Sequence, residues 1–151
     1  MIQRIQSIYL LVVVILSCVT LFSPWANFIS EGGVYEFNYA GLRDTEGGQV
    51  FFSSLALTIL AAAIPVLALI SIFLYRKRIL QIRLTIFNLL LLVGFYILFM
   101  LYFYTIYRTG MKMSKLHITI AFPLVNIILT YLAIRAIEKD ETLVRSFDRL
   151  R

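Results

Sequence analysis

The sequence predicts an all-α membrane protein. It would be a bundle of four transmembrane helices with a small extracytoplasmic β-hairpin loop and a cytoplasmic amphipathic C-terminal helix. Three observations carry this. The chain has 151 residues, 61% of them hydrophobic, and a mean hydropathy of +0.90; a soluble domain is nearer half apolar. Its apolar residues fall into four long runs, near the ~20 residues that cross a bilayer as a helix. Between the second and third runs stands the densest basic cluster, Arg76, Lys77, Arg78 and Arg83.

The first span runs from Ile5 to Ser23 without a charge and stops at Pro24–Trp25. Proline ends the helix, and tryptophan prefers the headgroup level. Ile15-Leu16-Ser17-Cys18 resembles a lipoprotein cleavage box. Val-Thr-Leu-Phe follows Cys18 rather than a polar tether, so an uncleaved anchor is the better reading.

Residues 24–50 form the longest loop. Asn27–Ser30 and Val34–Tyr39 flank Glu31-Gly32-Gly33 and read as two strands around a glycine turn. Alternation puts Tyr35, Phe37 and Tyr39 on one face and Val34, Glu36 and Asn38 on the other. A lone hairpin is marginal in water, so the aromatic face should rest on helix ends or lipid.

The second span, Phe51 to Tyr75, contains Pro65 and a small-residue face of Ala61-Ala62-Ala63 with Ala68 and Ser71. The third, Leu84 to Tyr107, is crowded with aromatic residues, from Phe95 and Tyr96 through Phe99, Phe103 and Tyr104. The fourth runs from Leu116 to about residues 134–137, with Pro123 inside it. The tail, 138–151, carries Leu143, Phe147 and Leu150 at helical spacing, with Arg145 and Arg149 four apart and Arg151 at the end. It reads as an amphipathic helix that lies on the inner leaflet or docks on a partner.

Cytoplasmic loops carry an excess of Lys and Arg. Arg4, Arg76, Lys77, Arg78, Arg83, Arg135, Lys139, Arg145, Arg149 and Arg151 share one side; Arg43, Arg108, Lys112 and Lys115 lie opposite. Both termini are therefore placed in the cytoplasm and the hairpin outside. The net charge of +6 follows from this bias and does not indicate a nucleic-acid partner.

With the fourth run taken to Ile134, the four runs contain no Asp, Glu, Lys or Arg, which counts against an ion-coupled carrier. Asn88 and Asn126 are the asparagines inside them. Mid-span Asn126 should bond to a neighbouring helix, and Asn88 should reach headgroups. Cys18 and His117 sit in different runs and cannot share a metal. Nucleophile elbows, phosphate loops and zinc-helix motifs are missing from the sequence, so neither an enzyme nor a cofactor is expected.

The opening Met1-Ile-Gln-Arg-Ile-Gln6 with Tyr9, and the close from Arg135 to Arg151, resemble domain-of-unknown-function family 4293. The resemblance implies a four-helix protein of a bacterial inner membrane, and it implies no activity. The expectation is a non-enzymatic accessory or scaffold protein that meets a membrane-protein partner, a second copy or lipid through its C-terminal helix. The alternative is an oligomeric channel or carrier for a small molecule or lipid.

Overall fold

Among the described residues, four helices are long and apolar enough to cross a membrane. The structure, a computed structural model, describes residues 3–30, 33–45, 50–75 and 77–148, with backbone alone at 3–4, 50–52, 141 and 143–148. Helix α1 is Gln3–Phe22, α2 Leu55–Phe73, α3 Arg78–Arg108 and α4 Phe122–Asp148. They pack in a ring, each against its two sequence neighbours, with α4 closing on α1.

Each helix turns one repeating stripe inward. On α1 the buried positions are Gln6, Leu10, Val13, Ser17 and Thr20; on α3 they are Gln81, Thr85, Asn88, Leu92, Phe95, Phe99 and, seven residues further on, Ile106. The alternating steps of four and three are the packing seam of a left-handed bundle. Helix α2 follows the same spacing with Leu57, Ala61, Ile64, Ala68 and Ser71, and α4 with Asn126, Thr130, Ala133, Ile137 and Asp140. Of the small residues expected to allow close approach, Ala61, Ala68 and Ser71 face the neighbouring helices, while Ala62 and Ala63 are only half-buried.

The expectation of an all-α fold with a lone hairpin is overturned. A five-stranded antiparallel sheet, in the order β4-β3-β2-β1-β5, sits on one end of the helices. Its strands are β1 Ala26–Ser30, β2 Gly33–Asn38, β3 Gly41–Asp44, β4 Val50–Phe52 and β5 Lys112–Leu116. The expected hairpin is present as β1 and β2, with Phe28 opposite Tyr35 and Ala26 opposite Phe37. The three further strands occupy what the sequence presents as a turn, as the start of the second span and as a loop. The physical reason is edge satisfaction. A two-stranded ribbon leaves bare backbone on both sides, and β3 and β5 cover it.

Other boundaries shift too. Helix α3 starts at Arg78 and absorbs Arg83, so the basic segment is a short turn leading straight into a helix. Pro123 lies, as expected, inside the fourth membrane-length segment, Ile118–Asp140, and there occupies the first turn of α4, where its missing N–H costs little. Only Pro65 lies in the interior of an α-helix, in α2. The expected amphipathic C-terminal helix continues from the fourth span, as part of α4, to Asp148.

The sheet packs its apolar face on the helix ends. Tyr35 and Phe37 are buried as the alternation predicts, while Tyr39 is 44% exposed. Trp25 is wholly buried, not lipid-facing. Its indole N–H donates to the Thr20 carbonyl at 2.7 Å. Its ring meets Phe37 at 5.4 Å and Phe95 at 5.8 Å, both edge-on. Phe28 meets Phe103 at 5.7 Å. The aromatic third span thus divides: Phe95 and Phe99 bind the sheet to the helices, while Tyr104 and Tyr107 point outward.

Candidate functional site

In water the inward stripe of a helix is apolar, because burial of apolar surface drives packing. Here the outward surface is apolar, and much of the inward stripe is polar. Leu11, Ile15, Ile59, Val66, Leu90 and Ile97 are among the exposed residues, whereas Gln6, Ser17, Ser71, Gln81, Thr85, Asn88, Asn126 and Thr130 are buried. Inside-out patterning of this kind is what a hydrocarbon surround selects, since polar groups find partners only between helices.

Asn126 Nδ2 donates to Ser17 Oγ at 2.9 Å, so the expected interhelical bond joins α4 to α1. Beside it lies a cavity of about 10 Å³ lined by Ser17, Thr20, Leu92 and Asn126, close to the least space that holds one water. Asn126 Oδ1 has no partner. Asn88 departs from expectation. It is fully buried rather than reaching headgroups, and neither of its side-chain polar atoms has a partner. Ser71 Oγ and Thr130 Oγ1 are likewise buried and unpartnered.

At the end opposite the sheet, three helices are clasped together. Gln6 Nε2 donates to Asp140 Oδ2 at 2.9 Å and to the Ala136 carbonyl at 3.0 Å. Arg78 Nη1 donates to the Asp140 carbonyl at 3.0 Å. Asp140 is only 7% exposed. Sequence reasoning ends the fourth span before Asp140 and so misses a buried carboxylate. The available signal is the spacing of Asn126, Thr130 and Asp140 on the same stripe.

The expected site residues separate as follows. Arg78 is half-buried in the clasp, and Lys77 and Arg83 are exposed near it in sequence; Arg76 lies outside the described residues. Leu143, Arg145 and Phe147 are on α4 beyond the clasp, described as backbone only. Arg149, Leu150 and Arg151 lie outside the described residues. The clasp brings the basic start of α3 against the base of the α4 extension. Among the described residues no three potential ligands gather to hold a metal. Cys18 is a free thiol, and His117 Nε2 lies 3.3 Å from Asn27 Oδ1 on the sheet.

These features define a class: a small protein of four membrane-length helices with a polar seam, a sheet across one end and a hydrogen-bonded clasp at the other. The chain belongs to the family described as Domain of unknown function (DUF4293), whose model matches residues 2–150. No curated protein and no solved structure matches it.

Proposed function

We propose that the protein is a non-enzymatic accessory or scaffold protein of a bacterial inner membrane, multi-pass, with both termini cytoplasmic. Its partner would be another membrane protein or a second copy. Recognition would use the α4 extension and the basic start of α3 as one surface. The observation that carries this reading is the Arg78–Asp140 contact, which joins these two segments at 3.0 Å. The extension continues the helix for eight residues after Asp140, about 12 Å at 1.5 Å per residue. The seam supports a rigid support rather than a conduit through one chain. Its cavity has room for about one water, and Trp25, Phe37 and Phe99 fill the space where helices meet sheet.

The test is a truncation that deletes 143–151 and keeps the clasp. Wild type and truncated chain would be purified in mild detergent and their co-purifying proteins compared, with thermal unfolding as control. The expected result is unchanged unfolding with loss of a defined partner, which an R83Q/R145Q variant also weakens. An identical partner set in all three would overturn the proposal. A reporter fused at the C-terminus checks orientation independently, and activity on the outer face would refute it.

A further inference from the structure

Arg108, Lys112 and Lys115 run against the charge bias that orients the rest of the chain. They lie on and just before β5, at the edge of the sheet. Residues 104–117 contain no acidic side chain. Glu36 is two strands away, roughly 10 Å by ordinary strand spacing, opposite Arg43 and bonded to Asn38. The three cations are exposed, and Arg108 stacks over Tyr104 at 5.4 Å.

The strand sorts its side chains sharply. Met113 pairs with Phe28 and Leu116 with Ala26, both facing the helices; Lys112 pairs with Ile29 and Lys115 with Asn27, facing away. A five-residue strand with perfect alternation could not place 113 and 116 on the same face. The register shift between Asn27 and Phe28 makes Ser114 a bulge residue, and the bulge resets the alternation. Met113 and Leu116 nonetheless remain 47% exposed. At the Lys112 end of the strand is an open hollow of about 590 Å³ lined by Ile29, Ser30, Thr109, Gly110 and Lys112. The far edge of β5 has no strand partner among the described residues.

We propose that Arg108, Lys112 and Lys115 bind the phosphate of an anionic phospholipid in the outer leaflet, with Met113 and Leu116 set among its acyl chains. The inference rests on the membrane-crossing orientation proposed above, but not on the partner. Charge complementarity selects an anion. The apolar residues beneath the lysines select a lipid over an acidic polypeptide, which would take the strand edge and leave Met113 and Leu116 uncovered. Tyr104 and Tyr107 put an aromatic belt at the same level.

The full chain with C18S and S114C would carry a fluorophore on the single thiol introduced at position 114, in bilayer nanodiscs of phosphatidylcholine. Chain-labelled quenching lipids would be compared, phosphatidylglycerol against phosphatidylcholine. The expected result is severalfold stronger quenching by phosphatidylglycerol. R108Q/K112Q/K115Q should abolish the difference, at up to roughly fivefold per cation, and R108K/K112R/K115R should keep it. Equal quenching by the two lipids, or loss in the charge-preserving variant, overturns the proposal. So does reversal by inorganic phosphate, which would assign a free anion, or displacement by a polyglutamate peptide, which would assign an acidic partner. Impermeant maleimide should label the S114C variant in intact cells. Labelling only in inverted vesicles overturns both the outer-leaflet site and the orientation, whereas outside labelling with equal quenching overturns the lipid site alone.

Discussion

At the scale of single residues, the buried polar groups are the informative ones. Asn126 and Ser17 donate and accept across two helices, so N126A should cost about 0.5–2 kcal/mol in detergent unfolding. A double-mutant cycle with S17A should recover most of that as coupling. Asn88 is the opposite case. Its side chain is fully buried with nothing to bond to, and an apolar replacement of similar shape removes that penalty. N88L should therefore match or exceed wild type in unfolding temperature; a clear loss would mean that Asn88 has a partner in the membrane. Trp25 should be the costliest single truncation at the sheet. W25A removes a fully buried ring and its bond to Thr20, worth ~3–5 kcal/mol, and W25F should recover the larger part. Asn126 was legible in the sequence, because an amide in mid-span has few options. Asn88 was not. Its linear position near the basic cluster suggests headgroups, but α3 begins at Arg78 and carries Asn88 about three turns into the bundle.

At the scale of elements, the helices were readable and the sheet was only partly so. Apolar length identifies a membrane-length helix by itself, because hydrocarbon leaves the backbone no other partner. Alternation identifies β1 and β2 and the buried face of Tyr35 and Phe37. Strands β3, β4 and β5 are short, and pairing rather than composition defines them. Strand β5 is the clearest example. Lys112 to Leu116 has no apolar alternation, and it becomes a strand because the segment around Asn27, far earlier in the chain, offers an open edge, as in the Ala26–Leu116 pair. Deleting Ser114 should remove the bulge and leave Lys112, Met113, Lys115 and Leu116 in regular alternation with the same partners, both lysines still facing away from the helices. The expected consequence is a connection between α3 and α4 that resists protease at least as well as wild type. Pro65 and Pro123 should also separate. P123A should change unfolding by less than ~1 kcal/mol, since the first turn has no bond to regain. P65A restores an N–H within α2, so its effect should be larger and stabilising if the backbone can straighten.

At the scale of the whole molecule, the two ends are held by different physics. The sheet end is joined by aromatic packing, which salt leaves largely unaffected. The opposite end is joined by Gln6, Asp140 and Arg78 through hydrogen bonds, one to a carboxylate. D140A should unfasten α1 from α4 there and leave Gln6 short of a partner, a loss of ~1–3 kcal/mol. The sheet's packing should stay intact, with Trp25 fluorescence unchanged. If Trp25 fluorescence shifts as well, the two ends are coupled through the seam.

The pairing of β1 with β5 has a consequence for biogenesis. Strand β1 is made early, and its second neighbour emerges only after two more membrane-length helices have been synthesised. During that interval the nascent chain carries an open strand edge, which in the orientation proposed above lies outside the membrane. Ribosome-arrested chains ending before Lys112 should be cut near Ile29 by added protease, and chains extending past α4 should resist. A closed sheet therefore marks a chain synthesised past its third membrane-length helix, and an open β1 edge marks one that is not.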